Sequence, residues 1–208
     1  NNVYSTNMSP NDNTVNIRSP KGGYHHGDLR VALIATGLKK LEEGSAESLS
    51  LREIAREIGV SATAIYRHFP DKDSLLSALA AEGMAQLARE QKAAGKAGGK
   101  EGFAEMGRAY VRFAMNNPAL FRLVFSSLPA AADPNCVNPE DSPGWLLRQS
   151  IADLAGPKAS DAQRKAGVLR AWALVHGLAM LILSGQIAPK DIDQLINEVV
   201  SVDSLKLG

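Results

Sequence analysis

Residues 51–79 read LREIAREIGVSATAIYRHFPDKDSLLSAL and contain the clearest structural pattern in the chain. Ser50 and Glu53 have the spacing of a capping box, in which the two side chains satisfy exposed backbone donors of a first helical turn. Gly59 can adopt the left-handed conformation that ends a helix. Ser61 then caps a second short helix that runs to about His68. The pattern therefore predicts two short helices joined by a tight turn.

Two further helices flank this pair. Apolar residues recur with helical spacing between Asp28 and Gly44, and Pro70 with Asp71 opens a long helix that reaches about Ala94. At 1.5 Å per residue the long helix spans roughly 35 Å, enough to join a small head to a larger body. The three helices before it predict a helix-turn-helix head, whose last helix enters the major groove of DNA.

The outward side of the third helix has the chemistry of a nucleic-acid contact. Ile65 and Phe69 are predicted to face inward. The outward residues combine small side chains, which let the backbone approach the bases, with groups that bond phosphates or base edges. Lys72, at the start of the long helix, adds a predicted phosphate contact. The outward residues are Ser61, Ala62, Thr63, Ala64, Tyr66, Arg67 and His68.

The rest of the chain predicts an all-α body. The predicted helices are Glu101 to Asn116, Pro118 to Ser127, Pro143 to Ala155, Asp161 to Gly185 and Pro189 to Val202, and no strand pattern competes. Residues 128–141, which include Cys136, are predicted to form a loop. The predicted division is a flexible tail (1–27), a helix-turn-helix domain (28–74) and a ligand-binding and dimerisation domain (75–208).

Composition narrows the class of protein. With 45% hydrophobic and 22% charged residues, the 208-residue chain has the balance of a soluble globular protein. A net charge of +1 disfavours a sequence-independent architectural DNA protein, which needs far more positive charge. One cysteine excludes an intrachain disulfide, and the first residues lack a secretory pattern, so a cytoplasmic location is predicted. The apolar run from Ala171 to Ala188 includes His176, which favours a buried helix over a membrane span.

Residues 51–79 resemble the DNA-binding signature of the TetR family of transcriptional regulators. In that family, residues matching Tyr66, His68 and Lys72 commonly touch phosphates. Residues matching Thr63, Ala64 and Arg67 lie where base or phosphate contacts are usual, and the resemblance also places Ser50 and Arg52 near the DNA backbone. The matching positions are Ala55, Gly59, Val60, Ser61, Tyr66, His68, Phe69 and Lys72. The resemblance implies a ligand-responsive repressor that binds a palindromic double-stranded DNA operator.

Residues 170–185, RAWALVHGLAMLILSG, resemble the ligand-binding domain of a TetR subgroup named for its Trp-His-Gly pattern. Trp172, His176 and Gly177 are the matching residues. The family resemblance also implies a homodimer, in which the last two long helices of each subunit form a four-helix bundle. The pattern agrees, because Leu169, Ala173, His176, Met180 and Leu183 form one apolar side of the penultimate helix, and Trp172, Val175, Ala179 and Ile182 form another. A charge at Ala179 is therefore predicted to give monomers.

Aromatic and sulfur-containing side chains predict a pocket in the body for an unidentified small-molecule effector. Ordinary core packing is the alternative for each of them, because such stripes normally fill helical proteins. His176 is the best polar candidate, although a lone histidine on an apolar face is more often a core or interface group. The candidates are Phe103, Met106, Tyr110, Phe113, Phe121, Phe125, Trp145, Trp172, His176 and Met180.

No catalytic or metal-binding pattern competes with this interpretation. The sequence lacks a nucleophile–base pair, paired carboxylates and the spacing of a zinc site, so no enzyme activity, cofactor or metal is predicted. The alternative is a small-molecule binding protein with weak or non-specific DNA binding, which the presence of Tyr66, His68 and Lys72 disfavours. The effector, the operator, the regulated genes and the choice between repression and activation do not follow from the sequence.

Overall fold

The computed structural model describes residues 26–127, 140, 142–188 and 190–201, and these segments contain α-helices and no strand. The predicted all-α class, with an N-terminal helix-turn-helix and a helical body, is confirmed. The helices are α1 (His26–Glu43), α2 (Leu51–Ile58), α3 (Ala62–His68), α4 (Lys72–Ala94), α5 (Gly99–Asn116), α6 (Pro118–Ser127), α7 (Pro143–Ala155), α8 (Asp161–Leu183) and α9 (Ile192–Val199). Most of the predicted tail, and Cys136 with most of its predicted loop, lie outside the described residues.

Caps fix both ends of α2 and the start of α3. The Ser50 hydroxyl accepts the Glu53 N–H at 3.5 Å, while the Glu53 carboxylate lies 4.0 Å from the Arg56 guanidinium, so the serine half of the predicted capping box is formed. Gly59 ends α2 with a φ of 80°. The Ser61 hydroxyl accepts the Ala64 N–H at 3.2 Å and starts α3. These caps fix where α2 begins and ends and where α3 begins.

One apolar core runs from the head into the body. Ile54, Ile65 and Phe69 are at most 2% exposed and pack in the same cluster as Leu75 and Leu79 on α4. Further along α4, Leu87 belongs to the same cluster, together with side chains of α5 and α6. The head is therefore joined to the body by packed side chains as well as by the chain itself.

Helix α4 crosses α6 at Gly83. A Cβ atom at this position would lie 2.9 Å from Leu120 Cδ1 and 2.9 Å from Val124 Cγ2. Both neighbours are at most 3% exposed, so neither has open space to move into. The absence of a side chain at Gly83 therefore sets how closely the two helices approach.

Gly83→Val is expected to lower the free energy of unfolding by about 1–3 kcal/mol, because added methyl groups in a packed crossing force side chains and backbone apart. Ala81→Val is the control, since Ala81 is exposed on the same helix and valine there costs only about 0.5 kcal/mol relative to alanine through helix propensity. Urea unfolding of both variants measures the difference. Equal midpoints for the two would show that the crossing tolerates the extra volume.

Helix α8 packs against α5 and α7 on one side and is open on another. Val175 and Ala179 are buried, whereas Leu169 is 47% exposed and Met180 is 42% exposed. By length and composition, α8 is the one helix of the described segments apolar enough to cross a membrane, and a third of its most apolar window (33%) is buried. The core helix of a soluble protein can have the same length and composition. Unlike such a helix, α8 has an apolar side that is exposed in the single chain.

Candidate functional site

The outward side of α3 is exposed as predicted. Ile65 is fully buried and Phe69 is 2% exposed, so α3 is anchored by this side. The exposed residues are Ser61, Ala62, Thr63, Tyr66 and Arg67, while Ala64 and His68 are half-buried. The side chains that can bond nucleic acid are thus held on a short helix with a rigid apolar underside.

Two arginines of the head, Arg67 on α3 and Arg30 on α1, differ in their contacts. Arg67 makes no ion pair or side-chain hydrogen bond within the described segments, so its guanidinium has all its donors available. Arg30, on α1, lies with its guanidinium carbon 5.3 Å from the centre of the Phe69 ring, a cation–π contact at the end of α3. Arg30 could not be identified from the sequence, because a contact between α1 and the end of α3 is visible only in the fold.

Lys72 has a partner within the head. Its Nζ donates to the backbone carbonyl of Glu47, in the connection between α1 and α2. Lys72 is half-buried at the first residue of α4, next to the Asp71 cap, whose carboxylate accepts the Ser74 N–H at 2.7 Å. The same lysine therefore ties the start of α4 to the entry of α2, where Ser50 is half-buried and Arg52 is exposed.

Five of the predicted effector residues meet in one cluster of rings, the aromatic cluster, formed by Tyr110, Phe121, Phe125, Trp172 and His176. The centre of the His176 ring lies 5.6 Å from that of Phe121 and 5.0 Å from that of Phe125. The Tyr110 hydroxyl and His176 Nδ1 are 2.9 Å apart, within hydrogen-bonding distance. The cluster joins α5, α6 and α8 and contains one polar pair among apolar rings.

The other candidates lie elsewhere. Phe103 packs with Ile151 in a second cluster, and Met106 packs in a third, beside Trp145. Phe113 is fully buried in the main core, and Met180 is on the exposed side of α8. The structure therefore brings half of the predicted set together and distributes the rest among four other places.

Two sequence profiles of one family match the chain. Residues 33–79 match the profile described as bacterial regulatory proteins, tetR family, and residues 103–202 match the one described as tetracyclin repressor-like, C-terminal domain. Together they cover most of the described residues. This chain belongs to the TetR family. It is a DNA-binding transcriptional regulator, of a family whose members are typically ligand-responsive repressors.

Solved structures agree with the TetR fold. A protein of unknown function from Rhodococcus sp. RHA1 is 27% identical, with a TM-score of 0.68 over 89% of this chain and 97% of that one. A tetR-family regulator from Streptomyces coelicolor is 22% identical, with a TM-score of 0.59 over 86% of this chain and 80% of that one. A TetR variant from Acinetobacter baumannii, in complex with minocycline, is 19% identical, with a TM-score of 0.57 over 88% and 94% of the two chains.

Burial changes the acid–base properties of the polar pair in this TetR-family body. It raises the pKa of the Tyr110 hydroxyl well above its usual range, because the phenolate would lose its hydration. It lowers the pKa of His176, because the buried imidazolium would lose its hydration as well. At neutral pH the tyrosine therefore keeps its proton and the imidazole is uncharged.

The stability of the regulator is expected to fall as the pH drops below about 6.5, the usual pKa of histidine. In the unfolded chain His176 takes up a proton at that pH, whereas its lowered pKa keeps the ring neutral in the folded protein, so acid favours unfolding. His176→Phe removes this contribution and keeps a ring in the cluster. Urea unfolding between pH 7.5 and about 5 compares the two proteins, and parallel curves would contradict the assignment to His176.

Proposed function

We propose that this TetR-family regulator is a ligand-responsive repressor that binds a palindromic operator as a homodimer, with α3 of each subunit in successive major grooves. The observation that carries the proposal is the exposed side of α3, where small and hydrogen-bonding side chains surround an arginine with no partner in the described segments. A guanidinium can bond guanine or phosphate through two donors at once. A hairpin with only a structural role has no need for this combination.

Individual roles on α3 follow from position. Thr63 and Arg67 are one helical turn apart and share an exposed side, so both are proposed to reach base edges. Tyr66 and His68 are proposed to bond phosphates, as in the family. Ala62 and Ala64 allow close approach of the helix, and the first turns of α2 and α3, with Ser50, Arg52 and Ser61, face the DNA backbone in the same arrangement.

Lys72→Ala is expected to weaken binding to every DNA sequence alike, because the ammonium is proposed to contact a phosphate. Each phosphate contact contributes about 0.9 to the slope of log K against log salt, so a dimer should lose about 1.8. Lys100→Ala removes the same charge from an exposed position in the body and serves as the control. Anisotropy titrations at several salt concentrations give the slopes, and an unchanged slope in Lys72→Ala would exclude the phosphate contact.

The homodimer is proposed to use the open side of α8. Ala173 is exposed between Leu169 and Met180, and the three lie on one side of the helix at spacings of four and seven residues. A second copy would cover this apolar stripe and leave the polar surface exposed to solvent. Ala179, the position predicted from sequence for a test of the dimer, is fully buried within the single chain. A charge there would disrupt the subunit core, so Ala173 is the informative position.

The effector is proposed to bind at the aromatic cluster. Its rings form an apolar environment, and the Tyr110–His176 pair offers a donor and an acceptor. Two of the rings, Phe121 and Phe125, are on α6, which packs against both α1 and α4. An effector that displaces α6 would thus move the helices that carry the head, and each tenfold loss of DNA affinity needs only about 1.4 kcal/mol of coupling.

Two finer assignments complete the proposal. We assign the C-terminal domain to the Trp-His-Gly subgroup, because Trp172 and His176 both lie in the aromatic cluster, with ring centres 5.7 Å apart, and Gly177 follows them on α8. We propose a cytoplasmic location with no membrane partner, since a dimer would bury the apolar side of α8. The domain boundaries at residues 27 and 74 also remain proposals.

Selection of genomic DNA fragments by the purified protein tests the proposed function. We expect enrichment of fragments that share an inverted repeat with half-sites about one helical turn apart. Uniform recovery of unrelated fragments would instead favour the alternative, a small-molecule binding protein with non-specific DNA binding. The promoters recovered would also indicate which genes the regulator controls.

A further inference from the structure

A cleft of about 340 Å³ lies between α7 and α8, away from the aromatic cluster. We call it the basic cleft. Its lining includes Trp145, Arg148, Ala152, Arg164, Lys165 and Val168, and none of its lining residues is acidic. Val168 is 3% exposed and forms an apolar floor, while Trp145 and Ala152 are half-buried. The volume is at the lower end of the range for small-molecule sites in proteins.

The Arg164 guanidinium makes one hydrogen bond to the backbone and has one N–H without an acceptor among the described residues. One terminal nitrogen of its guanidinium donates to the Gly156 carbonyl at 3.2 Å, which fixes the group at the turn between α7 and α8. Its Nε is buried and has no acceptor among the residues that the structure describes. A buried N–H without an acceptor costs about 1–3 kcal/mol, so a small shift of the Arg164 side chain that lets this N–H bond an oxygen atom in the cleft would remove the cost.

The lining has the chemistry of a site for an organic anion. Arg148, Arg164 and Lys165 all line one opening, so three cationic side chains can attract an anion there. A guanidinium bonds a carboxylate through two parallel hydrogen bonds. Trp145 supplies a planar apolar face against which a ring can stack. A planar ring with a carboxylate at one end meets all three requirements.

We propose that the basic cleft binds a small aromatic carboxylate, with its carboxylate at Arg164 and its ring against Trp145. This site shares no residue with the aromatic cluster and does not depend on the proposed effector site or on DNA binding. Trp145 also packs against a buried cluster that includes Ala88 of α4 and Met106 of α5. The occupant would therefore lie one side chain away from the helix that carries the head.

Calorimetric titration of the full chain with 4-nitrobenzoate, and with the neutral 4-nitrobenzamide, tests the proposal. We expect saturable binding of the carboxylate and a Kd at least about tenfold weaker for the amide, as the loss of a charge-assisted pair predicts. Arg164→Gln should weaken carboxylate binding to a similar extent. Arg170→Gln removes an equal charge from an exposed position of the same helix and should leave the Kd unchanged.

A second variant tests the proposal if Arg164→Gln misfolds, and a second measurement tests whether the carboxylate binds at the basic cleft. If Arg164→Gln fails to fold, the double variant Arg148→Gln with Lys165→Gln keeps the bond to Gly156 and should show the same loss. In a Trp172→Phe background, Trp145 is the remaining one of two tryptophans, and the nitro compound should quench its emission with the calorimetric Kd. Absence of saturable heat up to about 5 mM, equal affinity in the Arg164 and Arg170 variants, or unquenched Trp145 would each overturn the proposal.

Discussion

Replacing Arg67 with alanine is expected to cost about 1–3 kcal/mol of operator binding for each subunit. Because two copies of α3 meet one palindromic operator, the affinity of the dimer should fall about 30-fold or more. The physical reason is that Arg67 has no partner in the described part of the free protein, so its donors bond DNA without first giving up a contact. Mobility-shift titration with an operator from the fragment selection measures the loss.

Arg89→Ala is the matched control for Arg67→Ala. Arg89 is exposed on α4 and bonds Glu82 at 2.8 Å, so its removal subtracts the same charge at a position outside the proposed interface. The affinity of Arg89→Ala for the operator should stay within about twofold of the wild type, because Arg89 lies outside the proposed interface and its exposed ion pair contributes at most about 1 kcal/mol to stability. Equal losses in both variants would mean that overall charge, and not the surface of α3, determines binding.

Ala173→Glu is expected to convert the dimer to monomers and to lower operator affinity by about a hundredfold or more. In the proposed dimer this exposed position of α8 becomes buried against the partner, and an unpaired carboxylate there is costly. A monomer reaches one half-site only and loses the gain of binding two linked sites. Sedimentation velocity measures the oligomeric state, and anisotropy measures the affinity.

Ala173→Ser provides the comparison, because serine adds one polar atom and no charge at the same place. It should stay dimeric. The thermal unfolding of Ala173→Glu at low concentration should resemble that of a dissociated wild type, since the substitution lies outside the subunit core. A dimer that survives Ala173→Glu would remove this side of α8 from the interface.

Helix positions followed from sequence where a cap stands at the boundary. Pro118–Ser127 and Pro143–Ala155 have the predicted bounds, because proline is favoured in a first turn. Proline misled the prediction for α9, which begins at Ile192: the Asp191 carboxylate accepts the Gln194 N–H at 2.8 Å and is the true cap. Similarly, α8 ends at Leu183 and not at Gly185, with Ser184 as the cap. Competing caps a few residues apart cannot be ranked without the tertiary contacts.

The exposed side of α3 was easier to predict than the positions of the aromatic and sulfur-containing side chains of the body. α3 is short and has one buried side, so inward and outward residues follow from its period alone. The body aromatics share the same helical spacing, yet Phe103, Met106 and Tyr110 on α5 belong to three different clusters. Their destinations depend on which helix faces each side of α5. The basic cleft could not be recognised from the sequence, because the spacing of Arg148 and Arg164 is that of ordinary solvent-exposed residues on a helix.

The close contact with α6 at Gly83 lies at the midpoint of α4. The glycine stands 11 residues from each end of the helix (Lys72–Ala94), which is about 16 Å on either side at 1.5 Å per residue. If the tight crossing with α6 acts as the fulcrum, a sideways shift of the Ala94 end produces a shift of similar size and opposite direction at Lys72. Because Lys72 also bonds the Glu47 carbonyl just before α2, the helix-turn-helix would move together with this end of α4.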